Sequence, residues 1–152
     1  MPQAWRIVKA RHAATAFTGE GAAKTGGRWN SRGLRVVYTS STQALAALET
    51  LVHLNPPMAF QYSMFRLEFD SALVETLPTK KLPADWNTEP PPVGTKQLGD
   101  AWVRAARTPI LAVPSVIIAG ELNYLLNPAH ADFKKITRSK PQPFAFDPRL
   151  IG

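Results

Sequence analysis

Fourteen prolines in 152 residues set the first limit on what this chain can build. Proline has no backbone N–H to give to a helix interior or a central strand, and its ring collides with the preceding helical turn. Long helices are therefore excluded, and short elements separated by loops are expected. The chain shows no internal repeat and no heptad pattern, and strands do not alternate regularly with helices. A mixed α+β domain with more strand than helix is the expected class, rather than a doubly wound parallel sheet.

Trp5 to Ala10 reads as a first strand. Residues 12–33, rich in Gly, Ala, Thr and Arg, read as a loop with a short helical turn. Leu34 to Ser40 reads as a second strand, with Val36, Val37, Tyr38 and Thr39 as its β-formers. Thr42 to Leu54 is expected to be a helix, capped by Ser40 or Ser41 and stopped by Pro56-Pro57. Leu45, Leu48 and Val52 would form its apolar stripe, and Ala46, Glu49 and His53 a neighbouring one, so that Glu49 and His53 face the same way. Gln61 to Phe69 alternates as a half-buried strand, with Phe65, Leu67 and Phe69 inward. Ala72 to Leu77 would continue it after a bend, and residues 78–93 form a loop. Thr95 to Arg107 is read as a helix with Leu98, Trp102 and Ala105 inward. Ile110 to Ile118 is read as a buried strand with a bulge or an edge at Pro114-Ser115, Asn123 to His130 as an ordered loop, and Phe144 to Phe146 as a last short strand.

Hydrophobic residues make up 45% and charged residues 19%, a globular balance. The length suits one domain spanning 1–152. The chain has no cysteine, which excludes disulfides, thiolate catalysis and cysteine-ligated metal. His12, His53 and His130 lack the HExxH spacing, so no metal is expected. The N-terminus has no apolar signal core, and no apolar run reaches the roughly 20 residues that span a bilayer. A soluble, cytoplasmic protein without membrane contact is the expectation. The net charge is +7, and residues 1–40 hold seven basic side chains against one acidic one, Glu20. Such a region attracts an anion: nucleic acid, a diphosphate metabolite or an acidic partner.

Three residues carry most of the chemistry. Arg28, after Gly26-Gly27 and before Trp29-Asn30, can grip phosphate oxygens with paired hydrogen bonds, and the glycines would let backbone approach a ligand. Glu49 stands among Ala and Leu, where a carboxylate is costly unless paired or used. Ser115 follows a proline in an apolar run, with no GxSxG elbow around it. Tyr38 ends a β-rich stretch and offers either core packing or a ring to stack on a heterocycle. A single carboxylate fits N-glycoside cleavage better than ordinary sugar hydrolysis. Glycosidases generally need a second carboxyl to protonate the departing oxygen. Nicotinamide leaves NAD+ as a neutral base, so one carboxylate near the positive ribosyl centre suffices.

The ordered set Gly26-Gly27-Arg28-Trp29-Asn30, Tyr38-Thr39-Ser40, Ala47-Leu48-Glu49-Thr50-Leu51-Val52-His53, Leu98-Gly99-Asp100-Ala101-Trp102, Val113-Pro114-Ser115 and Leu122–His130 resembles the RES-domain family, named for an arginine, a glutamate and a serine. The ending Phe144–Leu150 is similar too, so the resemblance covers nearly the whole chain.

This resemblance implies a fold like that of ADP-ribosyltransferases, with mixed, largely antiparallel sheets and few helices. It implies the toxin of a bacterial toxin–antitoxin pair that consumes NAD+ by hydrolysis or phosphorolysis. NAD+ would then be a substrate, with inorganic phosphate as a candidate second one, and no prosthetic group is expected. Arg28 would bind the NAD+ phosphates, Tyr38 would stack on nicotinamide or ribose, and Glu49 would stabilise the ribosyl cation. Ser115 would bond the ligand or hold Glu49 and Arg28 in place. Trp29, His53 and Asn127 are further candidate substrate-binding positions. The implied partner is a cognate Xre-type antitoxin that blocks the active site and brings DNA only indirectly; a homodimer within that complex is a further expectation. Two alternatives stand beside this reading: a protein ADP-ribosyltransferase using the same site, and a non-enzymatic nucleic-acid-binding module suggested by the charge. Against the module, strand 61–69 carries Arg66 as its one basic residue.

Overall fold

The structure, a computed structural model, describes residues 1–53 and 61–151. Its elements are β1 (Gln3–Lys9), a 3-10 segment (Ala10–Thr15), α1 (Glu20–Thr25), β2 (Val37–Ser40), α2 (Gln43–Leu51), β3 (Tyr62–Glu68), β4 (Val74–Thr76), α3 (Val93–Ala105), β5 (Ile110–Pro114), β6 (Leu122–Leu126), β7 (Thr137–Arg138) and β8 (Gln142–Phe144). The strands join one sheet in the order β4-β5-β6-β2-β1-β3, with β7 and β8 lying against opposite ends of β3. Only the β4–β5 pairing is parallel among those described. The chain thus forms the mixed α+β, largely antiparallel arrangement that its sequence leads one to expect.

Alternation along the strands sorts side chains onto two faces. One face buries Ala4, Val37, Phe65, Leu67, Phe69, Ile110 and Leu126, closed over by Ala16, Phe17 and Ile136. On the other face, α2 lays Ala46, Ala47 and Leu51 against Trp5, Ile7 and Tyr62. Further along the same face, α3 lays Trp102 over Leu111, Val113 and Leu125, with Trp29 and Val36 beside it. The centre of this face, along β2 and β6, lies between the two helices.

The sheet is split at that centre. β1 and β2 are paired through a single register, Trp5 opposite Ser40. Beyond it the Arg6 guanidinium donates to the carbonyl oxygens of Tyr38 (2.8 Å) and Ala16 (2.7 Å). Arg6 therefore supplies a donor to a strand carbonyl where the backbone pairing has lapsed. Burial pulls its pKa down to about 10, which leaves it cationic at neutral pH.

Several expectations change at this level. α2 ends at Leu51, with Val52 as its C-cap and 58% exposed, so Val52 does not extend the apolar stripe. Its N-cap is Thr42, whose side chain accepts from the Leu45 amide at 3.0 Å, rather than Ser40 or Ser41. The helix was expected to reach Leu54 and stop at Pro56-Pro57, which lie outside the described residues. Residues 74–76 do not extend β3; they form β4 at the far edge of the sheet, alongside β5. Tyr62 is buried, not solvent-facing, because α2 covers its side of the sheet. Ala105 is exposed; the buried face of α3 is Thr95, Gly99, Asp100 and Trp102, with Leu98 partly buried against the cluster around Trp102, as expected. Pro114 makes no bulge: it ends β5 opposite Leu122 of β6, past the point where the β4 ladder stops at Ala112, so the strand has a neighbour on one side only there. Residues 122–126 are strand β6 rather than loop, since Leu122, Tyr124 and Leu126 alternate with Asn123 and Leu125.

Candidate active site

β2 runs through the middle of the site. Tyr38 and Ser40 are two residues apart on one strand, so they share a face, about 6–7 Å from each other along it. Opposite them on β6 stand Leu125 and Asn123, and beyond those on β5, Leu111 and Val113. The chain leaves β2 at Ser40, takes the Thr42 cap and turns back over this face as α2. That reversal puts Glu49 over the row formed by Ser40 and Asn123.

Glu49 is half-buried, and its Oε2 atom is the meeting point of a polar network. Ser115 donates its hydroxyl to Oε2 at 3.2 Å, and the Asn123 amide nitrogen donates to the same oxygen. The other end of Asn123 is occupied too: its Oδ1 accepts from the Ser40 hydroxyl at 2.8 Å. Ser115 Oγ accepts the backbone N–H groups of Ile117 (3.1 Å) and Ile118 (3.2 Å). With both lone pairs of Ser115 taken by amides, its proton is left for the carboxylate. Glu49, Ser115, Asn123 and Ser40 thus come together from α2, the turn after β5, β6 and β2.

Tyr38 anchors a second network one step along β2. Residues 27–30 close a tight turn, with the Gly27 N–H donating to the Asn30 carbonyl at 2.9 Å. Arg28 and Trp29 are the central residues of that turn. Trp29 is buried against Trp102 and Leu125, and its amide donates to the Tyr38 hydroxyl at 3.2 Å. That hydroxyl donates in turn to Asn30 Oδ1 at 2.6 Å. Asn30, fully buried, ties the loop down further by donating to the carbonyls of Ala22, Ser31 and Leu34. Gly27 is needed here because a Cβ would stand 2.6 Å from the Tyr38 oxygen. The glycine makes room for the tyrosine, where the sequence suggested room for a ligand. Burial is the main force raising the Tyr38 pKa; the Trp29 amide opposes it, the Asp100 carboxylate adds to it and Arg28 draws it down.

From α3, Asp100 accepts from both the amide (2.8 Å) and hydroxyl (2.5 Å) of Ser31, and Lys96 donates to the Gly27 carbonyl. The arginine turn is therefore clamped between α3 and β2.

Arg28 itself reaches toward residues 86–89. It donates to the carbonyls of Trp86 (2.9 Å) and Thr88 (2.8 Å) and forms an ion pair with Glu89. The Arg28 side chain is 11% exposed and that of Glu89 is 70% exposed. Arg28 and Glu49 each have their own partners and are not paired with each other.

Two candidates lie elsewhere. His53 is exposed and stands beyond the last turn of α2, so the shared stripe with Glu49 does not form. Asn127 is buried and caps the turn after β6, accepting from the Ala129 amide and donating toward the Val103 carbonyl, which gives it a structural task. A cavity of about 570 Å³ lies beside α2, lined by Ala44, Leu45, Leu48, Ile118 and Leu122. None of Arg28, Tyr38, Glu49 or Ser115 lines it. The residues that sequence reasoning missed are Asn30, Ser40, Asp100 and Asn123. For Asn123 the signal was its place in a Leu-rich alternation, where a polar side chain must find a partner.

Comparison with known proteins matches this arrangement. The family model described as "RES domain" matches residues 3–147. "Toxin Res" of Yersinia enterocolitica is 38% identical, the match covering 96% of this chain and 97% of that protein. "Prs ADP-ribosylating toxin" of a Sphingobium species is 40% identical, over 97% and 95%. The crystal structure of the M. tuberculosis MbcT–MbcA toxin–antitoxin complex contains a chain that superposes with a TM-score of 0.74 at 19% identity, covering 98% of this chain and 86% of that one, a likeness of fold. With the family's match running from β1 past β8 and taking in Arg28, Glu49 and Ser115, this chain belongs to the RES domain family.

Proposed function

We propose that this protein is a toxin of a toxin–antitoxin pair and that it breaks the nicotinamide–ribose bond of NAD+. The observation that carries the reading is the Glu49 carboxylate: both of its donors, Ser115 and Asn123, converge on Oε2. Oε1 takes no hydrogen bond from a described residue and is the oxygen assigned to the substrate. A carboxylate held in one rotation acts on developing positive charge without reorganising, which makes such electrostatic stabilisation effective. The ribosyl carbon of NAD+ becomes cationic as the bond to nicotinamide breaks. Nicotinamide leaves neutral, so a second carboxyl group is not required. Arg28 supplies the cation for the diphosphate and Tyr38 a ring edge between the two. Water or inorganic phosphate then captures the ribosyl carbon. An antitoxin of Xre type, blocking the site and carrying any DNA contact, is the proposed partner, in line with the toxin–antitoxin complex of the fold neighbour.

Incubation of the isolated chain with NAD+, with and without phosphate, tests this. Free nicotinamide is expected, with ADP-ribose or its phosphorylated counterpart as co-product. Glu49→Gln is expected to lower kcat strongly at nearly unchanged fold. A Glu49→Gln protein turning over NAD+ at wild-type speed would overturn the assignment. The second reading, transfer of ADP-ribose to a protein side chain, is favoured by the name of the 40%-identical relative. Labelled NAD+ added to cell lysate separates the two: label retained on protein supports transfer, and free nicotinamide without labelled protein supports degradation.

A further inference from the structure

We infer that Asn123, together with Ser40 behind it, positions the Glu49 carboxylate for the reaction. The inference rests on the function proposed above. Its starting point is a polarity constraint. An ionised carboxylate accepts hydrogen bonds and cannot donate them. Asn123 can therefore meet Glu49 only through its NH2 group, and its Oδ1 must then point away. Ser40 answers that oxygen with its hydroxyl at 2.8 Å, so both ends of the amide are partnered and its plane is held. Ser40 is 3% exposed, so water does not substitute freely for its hydroxyl.

The backbone reinforces this direction. Ser40 and Asn123 are cross-strand partners in the β2–β6 ladder, and Asn123 is paired on its other side with Val113 of β5. Asn123 therefore stands on an interior strand whose register is fixed on both sides. Glu49 stands on a helix of nine residues with a mobile two-methylene stem of its own. The rigid partner orients the flexible one. Ser115 holds the same oxygen from the turn after β5, so Oε2 is pinned from a strand and a turn and Oε1 is aimed by default. Catalytic groups held within a fraction of an ångström by such supporting contacts lose activity when the support goes, even if nothing that touches substrate has changed.

The test is steady-state turnover of NAD+ by the full chain carrying Asn123→Ala, alongside its thermal unfolding. The expected result is a fall in kcat of about 10- to 100-fold with KM essentially unchanged. A purely structural role in joining β2 to β6 would instead lower the unfolding temperature and leave kcat of the folded fraction intact; that result overturns the inference. Should Asn123→Ala fail to fold, Ser40→Ala decides. It leaves Asn123 in place but frees its amide to rotate, so kcat should fall by several-fold at constant KM, and an unchanged kcat overturns the proposal. Failure of the functional reading looks different: the unmodified chain would neither release nicotinamide nor transfer ADP-ribose.

Discussion

Ser115 follows Glu49 by 66 positions in the chain, yet its hydroxyl donates to the Glu49 carboxylate at 3.2 Å. The contact depends on where β5 stops. Pro114 closes that strand, and the Ser115 amide donates to the Glu121 carbonyl at 2.9 Å, so the serine stands at the mouth of the turn into β6. Ser115→Ala removes one donor to Glu49 and leaves the amides of Ile117 and Ile118 without their acceptor. Stability should fall by about 1–3 kcal/mol, the usual cost of leaving buried polar groups unpaired. The kcat for NAD+ should fall with it, by roughly tenfold, with Asn123 left as the other donor to Oε2. Thermal unfolding and steady-state kinetics measure the two effects, and a folded variant with wild-type kcat would remove Ser115 from the mechanism.

Glu89 competes with any anion for Arg28. Its carboxylate is largely exposed, whereas the arginine beneath it is nearly covered. Glu89→Gln keeps the carbonyl contacts from Trp86 and Thr88 and removes the opposing charge. An exposed ion pair is worth about 0.2–1 kcal/mol, so KM for NAD+ should drop by roughly 1.4- to fivefold at low salt. The difference should shrink as salt screens it. A KM that is unaffected by the substitution at every ionic strength would mean that Arg28 does not meet the diphosphate.

The sequence carried the local features well and the long-range ones poorly. Helix α2 was legible because Gln43–Leu51 is a run of good helix formers; its cap, Thr42 rather than Ser40 or Ser41, was not. The clamp of α3 on the arginine turn was not, since nothing local ties Asp100 to Ser31, which lies 69 positions earlier. Strand β6 was hidden by its own polar residue. Asn123 and the Asn-Pro that follows look like loop chemistry until the register shows that Ser40 and Glu49 satisfy Asn123. His53 was placed by helical spacing, and the spacing holds only while the helix lasts. Glu49 and Ser115 were readable as costly or oddly placed residues; their contact required the sheet order.

Tyr38 gives a pH signature. Its phenol is held neutral well above the ordinary tyrosine value of 10.0, chiefly by burial. A folded-state value above the unfolded one means that the stabilisation is complete below pH 10 and is lost as pH rises above it, because the unfolded chain releases its proton first. The Tyr38 contribution to the unfolding temperature should therefore fall on moving from neutral pH past 10, where Arg6, its folded value lowered to about 10, contributes in the opposite sense. Tyr38→Phe should start lower, having lost the bonds to Trp29 and Asn30, and should fall less steeply over the same range. Parallel curves for the two proteins would show that Tyr38 is not the group responsible.

Gly99 pits helix propensity against packing. In an exposed helix interior, Gly→Ala gains about 0.5–1 kcal/mol. Here α3 rests directly on the arginine turn, and a Cβ at position 99 would sit 1.6 Å from the Trp29 carbonyl oxygen and 3.1 Å from the Trp29 Cβ. The nearer obstacle is backbone, which cannot rotate aside as a side chain would. Overpacking of a well-filled core costs about 1–3 kcal/mol and more where backbone must shift, so the clash should win. Gly99→Ala should destabilise the protein by at least about 1–2 kcal/mol in denaturant unfolding. Because α3 also grips the turn through Asp100 and Lys96, the displacement should reach Arg28 and raise KM for NAD+. A Gly99→Ala protein more stable than wild type would mean that helix and turn do not touch, and the clamp that presents Arg28 would have to be abandoned.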